Sequence, residues 1–262
     1  KIKTITSKNL NEKVTDIDSE DEVGELAQSF NQLLDRLLQA FKRERQFIGD
    51  VAHELKTPLS TQRSSIEVAL SKDRSAKELK SVLAEALSDN NRITTTLKNI
   101  LDLAWSEAES AKIDKDSVNL SEVVSEVVEI ASKLGKAKKV SVSGNVDESL
   151  VILGSGDKLF RTFLNIVDNA VKYTPTGGSV RIYLTKKDGQ VIFKVKDTGV
   201  GISKKDLPHI FERFYRGSRS GRVHGAGLGL AIAQAIISAH KGTIEVKSDV
   251  GKGTIITVFL PL

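Results

Sequence analysis

The chain has no cysteine and no methionine among its 262 residues. Without cysteine there can be no disulfide scaffold, no thiol catalysis, no cysteine-type zinc cluster and no iron–sulfur centre. No apolar run approaches the roughly 18 residues of a membrane span, and no signal peptide opens the chain. With Lys1 first and methionine absent, the sequence reads as a fragment, and any membrane segment is expected upstream of it. Excess charge of one sign is also slight. The formal net charge is +5, but 39 Lys and Arg are scattered among 34 Asp and Glu, and only one arginine cluster, 213–222, stands out. Nucleic acid is therefore not the expected partner. At 28% charged and 39% hydrophobic, the composition is that of a globular chain long enough to bury a core.

Proline and glycine are scarce in the first part of the chain, which reads as helix to about residue 108. It holds Pro58 alone and, after Gly24, only Gly49. Val23, Leu26, Phe30, Leu33 and Leu37 follow a heptad seam. Leu34, Leu38, Phe41, Ile48, Ala52, Leu55 and Leu59 form a second seam, shifted by a stutter at 26–30–34. After Asp73-Arg74-Ser75 a second helix carries Leu79, Val82, Leu83, Ala86, Leu87, Ile93, Leu97, Ile100, Leu101 and Ala104. Two antiparallel helices cannot bury stripes this wide, whereas two copies can, as a four-helix bundle. A homodimer is expected.

Beyond the charged stretch 112–116, short β-type runs alternate with helical ones. Strands are predicted at Val140–Ser143, Val151–Leu153, Ser179–Thr185, Val191–Asp197, Thr243–Lys247 and Thr254–Leu260. Asp188-Gly189 marks a hairpin. Helices are predicted at Ser121–Lys133 with Ser121 as N-cap, at Lys158–Lys172 behind Asp157, and at Leu228–His240 with Gly242 as C-cap residue. This spacing favours an α/β domain, a mixed sheet with helices on one face. The domain expectation is 1–41 signalling helix, 42–108 helical dimerisation part, 109–116 linker and 117–262 α/β domain.

Four local patterns carry chemistry. Gln46, Asp50, His53, Thr57, Ser60 and Ser64 make one polar stripe beside the seam, so His53 is expected to be exposed. A carboxylate on one ring nitrogen would fix the tautomer and leave the other nucleophilic; the alternative is a solvated surface His-Glu pair. Asn165, Asn169 and Lys172 share a helix face that suits hydrated magnesium and phosphates, or is a plain polar face. Asp197-Thr-Gly-Val-Gly201 ends a strand with an acid and two glycines, a turn that lets backbone approach a planar ligand. Its carboxylate would accept from the amine of adenine and reject the carbonyl of guanine. Gly225, Gly227 and Gly229 open a helix with exposed amides, but without the Rossmann spacing. The Gly-, Ser- and Arg-rich stretch between Phe211 and Arg222 reads as a lid over phosphates or as an idle loop. The other histidines read more simply. His240 is expected as a helix C-terminal cation, His209 as a loop residue after Pro208, and His224 as part of the lid.

In this order and spacing, the chain resembles the sensor histidine kinases of two-component signalling. His53-Glu-Leu-Lys-Thr-Pro is similar to the phosphoacceptor box, and Asp21–Asn31 resembles the second half of a HAMP helix. Asn165–Tyr173, Asp197–Gly201, Phe211–Phe214, Gly225–Gly229 and Gly251-Lys-Gly-Thr254 resemble the successive boxes of the GHKL (Bergerat-fold) ATPase domain. The resemblance implies His53 as phosphorylated nucleophile, Glu54 as its base, and Thr57 as a water-positioning group for dephosphorylation. It implies ATP and Mg2+ as cofactors, with Asn169 and Asn165 on the metal, Lys172 on phosphate, Tyr173 against adenine and Asp197 on its amine. Nucleotide contacts are further implied at Gly199, Gly201, Arg216, Gly225, Gly227, Leu228, Gly229 and Thr254. The implied partner is a response-regulator receiver domain, and the implied location is the cytoplasmic portion of a membrane protein. The alternatives are a phosphatase or nucleotide-sensing adaptor, and a GHKL clamp; a nucleophilic histidine in a coiled coil argues against the clamp.

Overall fold

The computed structural model describes residues 22–108, 116–217 and 227–262. Expectations for 1–21, for the linker at 109–115, and for Arg219, Gly221, Arg222, His224 and Gly225 lie outside these residues. The chain divides into two compact units, 1–82 and 83–262, and each is taken by itself.

The N-terminal part is helical: one helix lies in the first unit, and another begins there and runs on into the second unit. Helix α1 spans Glu22–Leu70 and continues through Pro58 without interruption. Its C-terminal end is tied by Arg74 and Ser71, both donating to the Val68 carbonyl. Helix α2, Ala76–Ala108, starts on a reciprocal cap. The Glu78 amide donates to Ser75 Oγ, while the Ser75 amide and hydroxyl donate to Glu78 Oε2 at 2.9 and 2.8 Å. Those bonds satisfy helix-end donors that would otherwise face water. Leu26, Leu33, Leu37, Ile48 and Leu59 on α1 stay exposed, as do Leu79, Leu83, Leu87, Leu97 and Leu101 on α2.

The α/β fold has the order β1 (Asp116–Asn119), α3 (Leu120–Lys138), β2 (Ser141–Val146), β3 (Val151–Gly154), α4 (Gly156–Tyr173), β4 (Ser179–Lys187), β5 (Gln190–Asp197), a 3-10 turn at Leu207–His209, α5 (Gly229–Ala239), β6 (Thr243–Asp249) and β7 (Gly253–Pro261). The main sheet runs β2-β4-β5-β7-β6, with β2 parallel to β4 and every other pair antiparallel. Alternation along the strands sends Val180, Ile182, Leu184, Val191, Phe193, Val195, Ile256, Val258 and Leu260 to one face. They meet Val124, Val127, Leu159, Phe163, Ile166, Ala233 and Ile237 from the three helices in one core. The opposite face carries Arg181 and Lys194. This is the expected mixed sheet with helices on one face.

Four local expectations change. The strand β1 was not predicted; it is short and exists by pairing with β3, Asp116 opposite Gly154 through Asn119 opposite Val151. The N-cap of α3 is Asn119, whose side chain accepts from the Ser121 and Glu122 amides. Ser121 instead donates its hydroxyl to the Asp147 carbonyl (2.7 Å) and accepts from the Leu150 amide, bracing the helix start on the following loop. Helix α4 begins behind Ser155, with Asp157 already in its first turn. At the end of α5 the left-handed residue is Lys241 (φ 59), not Gly242. Gly242 is needed for space, since a Cβ there would overlap the Phe259 carbonyl. The Asp188-Gly189 hairpin is as expected, with φ of 50 and 75 and Lys187 opposite Gln190.

Candidate functional site

Asn165, Asn169, Lys172 and Tyr173 lie on α4, Asp197 ends β5 and Gly229 opens α5. Asp197 is the last residue of β5, and it is buried. One oxygen, Oδ1, accepts from two amides, Gly199 N–H at 2.7 Å and Thr254 N–H at 3.0 Å. The other, Oδ2, takes no hydrogen bond among the described residues. Burial pushes this carboxyl above the ordinary carboxylate range, while the Gly199 and Thr254 amides pull it back. The result is a fixed carboxylate with one oxygen open to a donor.

The turn after Asp197 is locked from two sides. The Val200 amide donates to the Tyr173 carbonyl at the end of α4, and the Gly251 amide donates to the Val200 carbonyl. Gly201 (φ 69) and Gly253 (φ 98) are held in left-handed backbone, and a Cβ on either would overlap the Asp249 or the Asp197 carbonyl respectively. No larger residue fits these two crossings.

Asn165 and Asn169 lie one turn apart on α4 and face the first residue of α5. A Cβ on Gly229 would stand 3.8 Å from the Asn165 Cγ and from the Asn169 Nδ2. Lys172, a turn further on, pairs with Asp168 at 2.5 Å and stays partly exposed. Tyr173 is half-buried beside it. Lys138, which the pattern of motifs does not reveal, reaches from α3 to donate to the Val171 and Lys172 carbonyls. Its ammonium thus completes the C-terminal end of the helix that bears the asparagines.

The segment before residue 218 is anchored rather than loose. Tyr215 donates its hydroxyl to Asp206 Oδ1 (2.7 Å), and Ser203 donates to Oδ2 (2.8 Å). Hydrogen bonding to the Asp206 carboxylate is the main cause that raises the Tyr215 phenol. His209 is not a bare loop residue: it closes the 3-10 turn, pairs with Glu212 at 2.7 Å and stacks near Tyr215. Gly227 (φ 70) packs on the Phe214–Tyr215 backbone, Leu228 is buried beneath it, and Arg216 is exposed.

His240 is no helix-end cation. It is buried, its Nδ1 side meets the Ile236 carbonyl at 2.8 Å, and its Nε2 accepts the Ser155 amide at 3.1 Å. An accepting Nε2 requires the neutral ring. Burial, with Lys158 nearby, holds its pKa below the ordinary histidine value against the opposing pull of Ile236.

In the first unit His53 is exposed on α1. The expected bond from its ring to the Glu54 carboxylate is not present; Glu54 is half-buried, and neighbouring residues on a helix point about 100° apart around its axis. Thr57 donates its hydroxyl to the His53 carbonyl at 3.2 Å, and Gln46 donates to Asp50 at 2.9 Å, so the polar stripe is partly self-bonded. Among the described residues no cluster of three or more His, Cys, Asp or Glu could hold a metal ion, and no helix is long and apolar enough to cross a membrane.

Three family models match along the chain: "HAMP domain" over 1–39, "His Kinase A (phospho-acceptor) domain" over 43–109, and "Histidine kinase-, DNA gyrase B-, and HSP90-like ATPase" over 154–262. The sensor histidine kinase CusS of Escherichia coli K12 is 34% identical over 99% of this chain and 54% of its own length. The chain belongs to the sensor histidine kinases of two-component systems. It spans about half the length of the curated histidine kinases it matches. Among solved structures, full-length ShkA in complex with AMPPNP is 27% identical with a TM-score of 0.61, over 83% of this chain and 45% of that one. The histidine kinase AdeS of Acinetobacter baumannii, 21% identical with a TM-score of 0.64 over 80% of this chain and 97% of its own, shares the fold.

Two residues that brace the candidate positions, Ser248 and Lys138, have no motif in the sequence. Ser248 bonds across two strands to residues five and six positions later and to Ile202, and Lys138 acts across two helices. A serine five residues ahead of a Gly-Thr pair is the only local trace of the first. The second leaves none.

Proposed function

We propose that this chain binds ATP between α4, α5 and the β5 end, transfers the γ-phosphoryl group to His53, and passes it to an aspartate of a response-regulator receiver domain. The observation that carries the proposal is the buried Asp197 carboxylate, fixed by two amides with one oxygen left open. An exocyclic amine fits that oxygen, whereas the guanine carbonyl would leave it unpaired. Tyr173 covers the base, and Gly199, Gly201, Gly227, Leu228 and Thr254 bring backbone and small side chains to the nucleotide. Lys172, Arg216 and Gly225 are assigned to the phosphates, as is the Gly229 amide at the start of α5.

Asn165 and Asn169 suit Mg2+, since amide oxygens are hard donors and this ion keeps water and phosphate as its other ligands. When bound, the ion neutralises charge on the phosphate oxygens. One ring nitrogen of neutral His53 attacks the γ-phosphorus; the N–P bond forms as the bond to the bridging oxygen breaks, and ADP leaves with that electron pair. The proton on the other ring nitrogen passes to Glu54, whose carboxylate turns toward the ring for this step, since the two are not bonded in the structure. Thr57, whose hydroxyl proton is on the His53 carbonyl, keeps lone pairs that can hold a water for dephosphorylation of the receiver.

The proposed division is a HAMP-derived signalling helix over 1–41, a dimerisation and phosphotransfer part over 42–108, a linker at 109–116 whose last residue, Asp116, already belongs to β1, and the ATP-binding domain at 117–262. The exposed apolar rows of α1 and α2 support a homodimer, and the HAMP match supports a membrane-anchored parent protein. The test is incubation with γ-labelled ATP and magnesium. His53→Ala abolishes labelling and leaves ADP affinity within about twofold. Labelling of His53→Ala at the unsubstituted level would remove His53 from the reaction.

A further inference from the structure

Between Ser203 and Tyr215 the chain folds into consecutive turns, each closed by an amide three residues on. The Asp206 amide donates to the Ser203 carbonyl, His209 to Asp206, Glu212 to His209 and Tyr215 to Glu212, at 2.8–3.3 Å. Side chains then close the segment on itself. Asp206 is buried, and each oxygen of its carboxylate takes a hydroxyl: Ser203 donates to Oδ2 at 2.8 Å and Tyr215 donates to Oδ1 at 2.7 Å. An ionised carboxylate only accepts, so both hydroxyls commit their single proton to it, and bonds of this kind are short and strong. Tyr215 thus returns to the turn from which the segment set out.

Phe214, the residue before it, has φ 59. A side chain other than glycine stays in this left-handed region where its surroundings hold it, and such residues gather at functional sites. Here the Tyr215–Asp206 bond holds one side, and Gly227 packs on the other, where an added Cβ would stand 2.7 Å from the Phe214 carbonyl carbon. The backbone on both sides of Arg216 lies against Asp206. Tyr215 bonds its carboxylate, and a Cβ on Gly217 would stand 3.5 Å from its Cγ. Arg216 is therefore fixed at its backbone while its side chain is exposed. Gly227, which touches this same backbone, is two residues from Gly229, and Gly229 faces Asn165 and Asn169.

We infer that Tyr215 is a positioning residue for phosphate binding: its bond to Asp206 fixes the backbone from which Arg216 reaches the phosphates. An arginine must order a long side chain when it binds, and a backbone already fixed removes φ and ψ from that cost. The inference rests on the proposal that this site binds ATP with Arg216 on its phosphates.

The test compares ADP with adenosine, which lacks phosphate, by calorimetry on the full chain. Tyr215→Phe keeps the ring and removes one hydroxyl. ADP affinity falls roughly three- to tenfold, the scale of one hydrogen bond, and adenosine affinity stays the same. Arg216→Ala weakens ADP at least as much, and adding Tyr215→Phe to it costs nothing further. Equal loss of ADP and adenosine in Tyr215→Phe would make the tyrosine a plain brace and overturn the inference. So would an unchanged ADP affinity in either single variant, or a further loss in the Arg216→Ala background. An unsubstituted chain that binds neither ADP nor adenosine would instead bring down the nucleotide reading itself.

Discussion

Asp197 shows how a single carboxylate is made specific by what it may not do. Its Oδ1 is held by two amides, and burial raises its pKa from the ordinary 3.8. A raised folded-state pKa means the protonated form is favoured in the native state. Its contribution to stability is complete below the ordinary value and is lost as pH rises through the raised one. At neutral pH the charge is therefore retained at some cost to the fold. Asp197→Asn should weaken ADP binding by roughly 1.5–3 kcal/mol, the scale of a charge-assisted hydrogen bond. The same variant should unfold no more easily than the parent at neutral pH, because the amide oxygen can still accept both backbone N–H groups. Calorimetry and urea unfolding check the two halves. Lost affinity with an equal loss of stability would mean that the residue is structural.

At the scale of elements, His240 ties the C-terminal end of α5 to the start of α4. The neutral ring accepts the Ser155 amide, and its pKa is lowered by burial from the ordinary 6.5. A lowered folded-state pKa gives a contribution that is full above the ordinary value and is lost as pH falls through the lowered one. The chain should therefore lose unfolding free energy below about pH 6.5, as the unfolded state takes up a proton that the native ring refuses. His240→Ala should flatten that slope and cost about 1–3 kcal/mol at pH 7.5, since the Ser155 amide loses its acceptor. An unchanged slope in urea titrations at pH 5.5 and 7.5 would exclude the ring as the titrating group. Much of the element plan was legible from period and turn residues, because β4, β5, β6 and β7 alternate and Asp188-Gly189 supplies the required positive φ. What escaped is what depends on a partner distant in the chain. β1 is a strand only because β3 lies beside it. Asn119 takes the cap because Ser121 is drawn away to Asp147 and Leu150. His240 was misread because no local feature announces the Ser155 amide. The site divides in the same way: the glycines and acids of a tight turn are local and readable, while the Ser248 hydroxyl hub and the Lys138 cap are assembled across strands and helices.

For the whole molecule, the described residues leave rows of apolar side chains exposed on α1 and α2. Leu26 is 69% exposed and Leu83 68%. Rows of leucine at helical spacing are sites of association rather than ordinary surface. Light scattering at micromolar concentration should give twice the chain mass, and Leu33→Glu combined with Leu37→Glu should shift it toward one. A chain that scatters as a monomer would remove the bundle from the proposal.

The chemistry of the label tests the central claim most directly. After incubation with γ-labelled ATP and magnesium, the denatured chain is divided between acid and alkali. A phosphoryl group on the His53 ring nitrogen is a phosphoramidate, so the label should be lost in acid and persist in alkali. A label that survives acid and is lost in alkali would be a serine or threonine ester and would contradict histidine phosphorylation.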